Sequence, residues 1–231
     1  MNEQEILREF ESAEAILRGH FVLSSGLHSD TYLQCARVLM NPVRAEKLCA
    51  ALAKKVNQAM SAELPPISSP QAQGIRGLAQ AMEKGNHVSP ATYNASRSID
   101  LVVAPAMGGV VVGYEMGRQL GVESIFCERE NGAFTLRRGF AIPPGARILL
   151  VEDVVTTGKS SLETVECIRT HGGVVVAEAS LIDRSGGESK KLPFPLFSLL
   201  TLDVRTYAAD ALPTHLAAIP AIKPGSRFLK K

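Results

Sequence analysis

The chain has 231 residues, 45% of them hydrophobic, with a formal net charge of +2 and a mean hydropathy of +0.08. That gives room for one substantial domain with additions and enough apolar material for a packed core, which excludes a disordered chain. Lys and Arg alternate with Asp and Glu instead of forming a basic stripe, so nucleic acid is not the expected partner. Cys35, Cys49, Cys127 and Cys167 stand far apart without a CxxC pair, which argues against structural zinc. Their spacing suits reduced thiols in a cytosolic protein, although spacing alone leaves a disulfide open. The acidic start, Met1 to Glu5, does not read as a signal peptide, and no apolar stretch has the length of a membrane span. A soluble cytoplasmic protein is the expectation.

Taken in chain order, Ile6, Leu7, Phe10, Ala13, Ile16 and Leu17 recur at helical spacing up to Gly19. A polar turn over residues 24–30 precedes a short apolar run from Thr31 to Cys35. Asn41 and Pro42 suit a helix cap and first position, followed by an i,i+4 stripe of Leu48, Leu52, Val56 and Met60. Residues 57–98 lose all period to proline, serine and glutamine, and read as a surface insertion. Beyond them, residues 100–106 (DLVVAPA), 122–127, 146–153 (ARILLVED), 174–183 and 197–204 are strand candidates. Helices are expected over 109–120, stopped by Gly121, and after residue 160, with Leu162, Val165 and Ile168 on one face and Gly172-Gly173 at the end. Apolar strands alternating with helices predict an α/β fold with a doubly wound, mostly parallel sheet.

The chemistry concentrates in residues 151–160, VEDVVTTGKS. A buried strand ends in Glu152 and Asp153; hydroxyls, Gly158 and a helix start follow. Ligands of open α/β sheets bind beyond the carboxyl ends of strands, and the amides and dipole of a helix N-terminus favour phosphate. Two carboxylates beside a phosphate must face another part of the ligand, and vicinal ribose hydroxyls are such a part. The segment therefore reads as a sugar-phosphate site. Gly158-Lys159-Ser160 imitates the end of a Walker A loop, but that motif needs glycine where Asp153 stands.

These residues closely resemble the phosphoribosyl pyrophosphate (PRPP) loop of type I phosphoribosyltransferases. Residues 19–42 (GHFVLSSGLHSDTYLQCARVLMNP), 104–109 (APAMGG), 128–139 (ERENGAFTLRRG) and 181–187 (LIDRSGG) narrow the resemblance to orotate phosphoribosyltransferases. It covers nearly the whole chain except 57–98. It implies the type I phosphoribosyltransferase fold in one domain, with a small hood formed by residues 1–40 and a core sheet over 99–206. The implied reaction joins orotate to PRPP, giving orotidine 5′-monophosphate and pyrophosphate, with Mg²⁺ held mainly through PRPP.

The same resemblance implies residue roles. Glu152 and Asp153 would bind the ribose hydroxyls; Val154, Val155, Thr156, Thr157, Gly158, Lys159 and Ser160 would cradle the 5′-phosphate, with Thr156 also reaching orotate. Arg184 would pair with the orotate carboxylate, and Tyr32 and Leu33 would line the orotate pocket. Met107 and Gly108 fall where relatives place the pyrophosphate loop, often with a strained or cis peptide. Residues 128–139 would form a flexible loop covering a neighbouring subunit's site, which implies a homodimer. Asp153 and Arg129 are the expected catalytic residues. The sequence departs from the pattern at three places. Ser24 replaces a common PRPP-contacting lysine, the covering loop is poorer in Lys and His, and residues 211–215 lack a cysteine pair. Arg137 and Arg138 would restore part of the charge or simply belong to a solvated hairpin. His28 is read as a solvated turn residue. The rival readings are a purine-base transferase, which has no use for Arg184, and a PRPP-binding regulator with reduced turnover.

Overall fold

A computed structural model describes residues 1–23, 25–63 and 98–224. The main sheet has six strands: β3 (Leu101–Pro105), β4 (Glu123–Glu130), β5 (Ala133–Leu136), β6 (Arg147–Val155), β7 (Val174–Asp183) and β8 (Leu196–Thr201). Their order is β5-β4-β3-β6-β7-β8, parallel throughout except for the antiparallel edge pair β4–β5. β3 is buried at every residue, as a strand covered on both faces must be. Helix α3 (Pro42–Glu63) and α4 (Gly108–Leu120) pack one face; α5 (Lys159–Thr170) packs the other. This is the doubly wound α/β arrangement expected from the strand–helix alternation.

Local chemistry explains the element ends. Asn41 accepts a hydrogen bond from the amide of Arg44 through its side chain, 3.1 Å, and Pro42 opens α3. The stripe Leu48, Leu52, Val56 and Met60 is buried. Gly121 ends α4 in the left-handed conformation, φ 65°. On α4, a Cβ at Gly113 would meet the Ala104 Cβ at 2.8 Å, so glycine lets the helix lie flush on β3. Asp100 ties β3 to β6: its Oδ2 accepts from the Arg147 amide at 2.9 Å, and the Arg147 guanidinium grips both carboxylate oxygens.

Several boundaries differ from the periodicity. Helix α1 (Glu3–Ser12) stops early, at Ala13–Glu14, where Glu14 takes a positive φ of 49°. Ile16 and Leu17 continue into strand β1 (Ile16–Val22). Strand β2 (His28–Leu33) begins inside the stretch expected to be a polar turn. With β9 (Thr206–Tyr207) these form a separate antiparallel sheet, β1-β2-β9. The hood therefore draws a strand from the C-terminal part, while α1 buries Ile6 and Phe10 in the main core. The short helix α2 (Cys35–Leu39) joins hood to core, and a small C-terminal helix, α6 (Thr214–Ala217), follows β9. Of the expected insertion, residues 57–63 prolong α3, and 64–97 lie outside the described residues.

On α5 the buried residues are Ser161, Thr164, Cys167 and Ile168, whereas Leu162 is half exposed. The apolar-face expectation was shifted by one position because α5 covers a polar patch of the sheet: Glu152, Glu178 and Ser180 are all buried beneath it.

Candidate functional site

Strand β6 pairs with β7 as far as Val155↔Asp183, so the first half of residues 151–160 is strand. The loop proper is Thr156, Thr157 and Gly158, and α5 begins at Lys159. Gly158 sits at φ 72° as the N-cap residue, a conformation that favours glycine, and offers no capping side chain, while Thr157 Oγ1 accepts from the Lys159 amide at 3.4 Å. The first-turn amides, which lack intrahelical acceptors, thus remain directed at the loop's concavity.

Successive side chains of a strand point to opposite faces, so Glu152 and Asp153 are not neighbours in one cradle. Asp153 lies on the α4 side. Its carboxylate stands against Gly108, where a Cβ would meet Oδ1 at 2.8 Å and Oδ2 at 3.0 Å. Burial raises the Asp153 pKa, opposed by the Val154 amide donating to Oδ1 at 3.0 Å. Preceding Gly108, the Ala106–Met107 peptide is cis, and Met107 is 82% exposed.

The hood delivers two further groups to this face. Tyr32, from β2, and Cys35, from α2, lie within electrostatic reach of both Asp153 and Arg184. Burial raises both Tyr32 and Cys35, and the Cys35 thiol approaches the Asp153 carbonyl oxygen at 4.0 Å. Leu33 is half-buried and packs against the main core. Arg184 follows β7; its amide donates to Val155 O at 2.9 Å, which fixes its backbone beside the loop. Its guanidinium is half-buried, its pKa lowered by burial, and no carboxylate among the described residues lies within ion-pair distance of it. A desolvated cation without a partner is costly unless a ligand anion completes it. Tyr32, Cys35, Asp153 and Arg184 thus converge, although Cys35 carried no signal in the sequence beyond following the hood strand.

Glu152 faces the other way. Its Oε1 is 2.9 Å from Ser161 Oγ, and Ser161 Oγ is also 2.8 Å from Glu178 Oε1. Burial pushes Glu152 up to about 7, with the Ser161 hydrogen bond opposing and the Asp153 charge adding. Glu178 was not singled out from sequence, yet an acid inside the apolar run VVVAEASLID is a visible anomaly.

Within residues 128–139 the ends of β4 and β5 form a hairpin, and residues 137–139 follow it. Asn131 and Gly132 both have positive φ, 51° and 88°, the mark of a type I′ turn, and Asn-Gly is the sequence signal that predicts it. Arg129 donates to Gly132 O at 2.8 Å, pairs with Glu163 of α5 and stacks 4.2 Å over Phe134. Arg138 pairs with Glu128 at 2.9 Å and Arg137 reaches Glu130 at 3.7 Å. Arg129 is therefore placed beside the first turns of α5 and not with Tyr32, Asp153 and Arg184. Lys159 points outward, 79% exposed, 3.9 Å from Glu163. Ser24 lies outside the described residues. His28 is part of β2, where its Nδ1 is 2.6 Å from Nε2 of the buried His20, so it is not a free turn residue. An open depression of about 520 Å³ lined by Tyr114, Arg118, Ile125 and Phe140 holds none of these groups.

Comparison with known proteins agrees with this geometry. Residues 74–200 match the phosphoribosyl transferase domain family. The orotate phosphoribosyltransferase of Sphingopyxis alaskensis is 52% identical over 227 residues, covering 98% of each chain. That of Methylorubrum extorquens is 46% identical over the full length of both. Among solved structures, the orotate phosphoribosyltransferase of Aeropyrum pernix superposes with a TM-score of 0.56 at 22% identity, covering 85% of this chain and 93% of that one. The Mycobacterium tuberculosis enzyme, solved with inorganic phosphate, also gives 0.56, at 19% identity and with 87% and 95% covered. These two likenesses concern the fold; the sequence identities carry the assignment, and the chain belongs to the orotate phosphoribosyltransferase family.

Proposed function

We infer that the chain transfers the phosphoribosyl group of PRPP to orotate, forming orotidine 5′-monophosphate and pyrophosphate in pyrimidine biosynthesis. The observation that carries orotate in particular is the unpartnered, half-buried Arg184 guanidinium beside Tyr32 and Asp153. A planar cation in that position suits a planar carboxylate in two-pronged fashion, and a purine base has no such group.

In this reading the ribose lies across the end of β6. Asp153 accepts a ribose hydroxyl from the α4 side and Glu152 from the α5 side. The loop amides, with Thr156, Thr157 and Ser160, hold the 5′-phosphate, and Lys159 adds charge from outside. Gly108, lacking a Cβ, lets the turn that opens α4 close against the Asp153 carboxylate, and the amides of that turn face the pyrophosphate. Among the described residues no group of three or more His, Cys, Asp or Glu side chains is placed to hold a metal by itself, which fits a Mg²⁺ ion carried mainly by the substrate's phosphates and its own waters. When bound, that ion neutralises the leaving pyrophosphate. The chain's part is to orient ribose and base, to set preformed donors at the departing charge and to exclude water as the anomeric carbon gains cationic character. Arg129, on the hairpin and paired with Glu163 of α5, is the cation that a closing movement would bring to the pyrophosphate in a neighbouring subunit's site.

A homodimer is part of the proposal. Met107, Val111 and Tyr114 are 82%, 49% and 70% exposed along α4, an apolar row that an isolated subunit would leave in water. Sedimentation at micromolar concentration should return twice the chain mass; a monomer would refute it. No helix among the described residues is long and apolar enough to cross a membrane. The four free cysteines suit a reducing compartment, and we place the protein in the cytoplasm. The deciding assay is loss of orotate absorbance with PRPP and Mg²⁺, run beside adenine, hypoxanthine and xanthine. Purine turnover without orotate turnover would overturn the reading.

A further inference from the structure

The buried cluster under α5 contains more than the ribose reading uses. Glu178 is fully buried in the middle of β7, opposite Leu150 of β6 and one pleat from Glu152. Ser161 Oγ stands 2.9 Å from Glu152 Oε1 and 2.8 Å from Glu178 Oε1. Glu178 Oε2 is a buried side-chain oxygen with no hydrogen-bond partner among the described residues. A serine hydroxyl has one hydrogen, so it can donate to only one of the two carboxylates. The second short contact needs a hydrogen from the carboxyl group itself. One of the two acids is therefore protonated whenever the cluster holds this geometry. Glu178 is the costlier one to ionise, being sealed from water with one oxygen orphaned.

We propose that Glu178 is a positioning residue for the PRPP site, acting through Ser161 to orient Glu152 and keep it a hydrogen-bond acceptor. The chain of donors runs from protonated Glu178 Oε1 to Ser161 Oγ, and from the Ser161 hydroxyl to Glu152 Oε1. Glu152 is then held as a carboxylate with Oε2 left for a ribose hydroxyl. Burial raises both acids and the Glu152 charge raises Glu178 further, and Glu178, fully buried with Oε2 unpartnered, is the one to hold the proton. The other groups acting on the cluster are Asp183 from β7's own end and Asp153 next to Glu152. Both are acidic, and α5 presents the neutral Ser161. Among the described residues no cation lies within ion-pair distance of either glutamate.

The inference rests on the PRPP reading and has its own signature. Once pH rises past about 8, Glu178 gives up its proton and Ser161 has one hydrogen for two anions. Glu152 is then displaced, so PRPP binding weakens toward alkaline pH while the orotate side of the site is unaffected.

The test is the pH dependence of KM for PRPP and of kcat, from pH 6.5 to 9.5 at saturating orotate and Mg²⁺. The wild type, Glu178→Gln, Ser161→Ala and the double variant are compared. In the wild type KM for PRPP should rise roughly tenfold above pH 8, the worth of one charge-assisted hydrogen bond, with kcat nearly level. Glu178→Gln should flatten that rise, because its carboxamide donates to Ser161 at every pH. Ser161→Ala should raise KM for PRPP about tenfold at all pH values, and adding Glu178→Gln to it should change nothing further. Carbon-13 titration of the glutamate carboxyls should show one that stays protonated at pH 7 in the wild type and is missing from Glu178→Gln. An alkaline rise that persists in Glu178→Gln, or a wild type without one, would overturn the proposal. So would the absence of that late-titrating carboxyl. Orotate turnover by the wild type at pH 7 separates these outcomes from failure of the functional reading itself.

Discussion

Gly108→Ala isolates the contact between the turn that opens α4 and Asp153. Gly108 opens α4 without a positive φ, so alanine is conformationally acceptable there and improves helix propensity by up to about 1 kcal/mol. The new Cβ would stand 2.8 Å and 3.0 Å from the two Asp153 oxygens and 3.1 Å from its Cγ, where ordinary contact begins at 3.4 Å. Relief requires the carboxylate to retreat by about half an ångström, or the turn to lift by as much. A misplacement of 1 Å in such a site costs on the order of 100-fold, so a fall of about tenfold in kcat is expected. Thermal unfolding should stay level or rise slightly. Initial rates of orotate consumption at saturating PRPP and Mg²⁺ give the first number; a scanning melt gives the second. A double-mutant cycle with Asp153→Asn sharpens the test. Where the carboxylate is already disabled, displacing it should cost nothing more, so the two losses should be far from additive. Full kcat in Gly108→Ala, or strict additivity in the cycle, would refute the placement of Asp153 in the reaction.

Arg184→Ala should raise KM for orotate about 100-fold or more while leaving PRPP binding within a few-fold, because it removes a two-pronged charge pair. Arg184→Lys should rescue little of this, since an ammonium cannot reproduce the fork; equal losses for both substrates, measured by titration calorimetry, would sink the assignment. Gly113→Ala should destabilise the fold by about 1–3 kcal/mol in urea titrations, against the usual gain for alanine in a helix. The reason is that the Ala104 Cβ, 2.8 Å from the new methyl, belongs to a buried strand and cannot swing aside; an unchanged or raised midpoint would show that the helix adjusts freely.

The sheet was legible because its strands are long apolar runs closed by glycine and proline, and α3 because Asn41-Pro42 starts it unambiguously. The hood was not. Residues 28–30, His-Ser-Asp, look like a turn because strand β2 is short and polar, and its second partner, Thr206–Tyr207, is a two-residue strand far along the chain. The break between α1 and β1 was hidden because Ala13, Ile16 and Leu17 keep helical spacing through the turn. The residue that takes the left-handed conformation there is Glu14, not a glycine. On α5 an apolar stripe misled because the helix covers carboxylates and serines; the acid in VVVAEASLID was the available warning. Asn131-Gly132 was equally available as a hairpin signal inside a segment otherwise matched to a loop.

The acidic pair shows how neighbours in sequence can mislead as geometry. Adjacent in sequence, Glu152 and Asp153 suggest a double carboxylate facing one ribose. The alternation of β6, maintained by pairing to Val155↔Asp183, sends them to opposite faces. Asp153 meets the Gly108 turn, the hood and Arg184, so its environment is assembled by segments that the chain brings together only on folding. Glu152 meets Ser161 and Glu178, so its environment is set by the core beneath α5. The two acids therefore answer to different neighbours, although the Asp153 charge still raises Glu152. Burial raises Asp153 against a backbone amide, whereas burial raises Glu152 against the Ser161 hydroxyl, which also lies 2.8 Å from Glu178 Oε1. A strand end between two differently built faces thus gives adjacent acids different surroundings, and in the proposed reading both serve one ligand diol. That division, and not the mere presence of two carboxylates, is what the fold adds to the sequence.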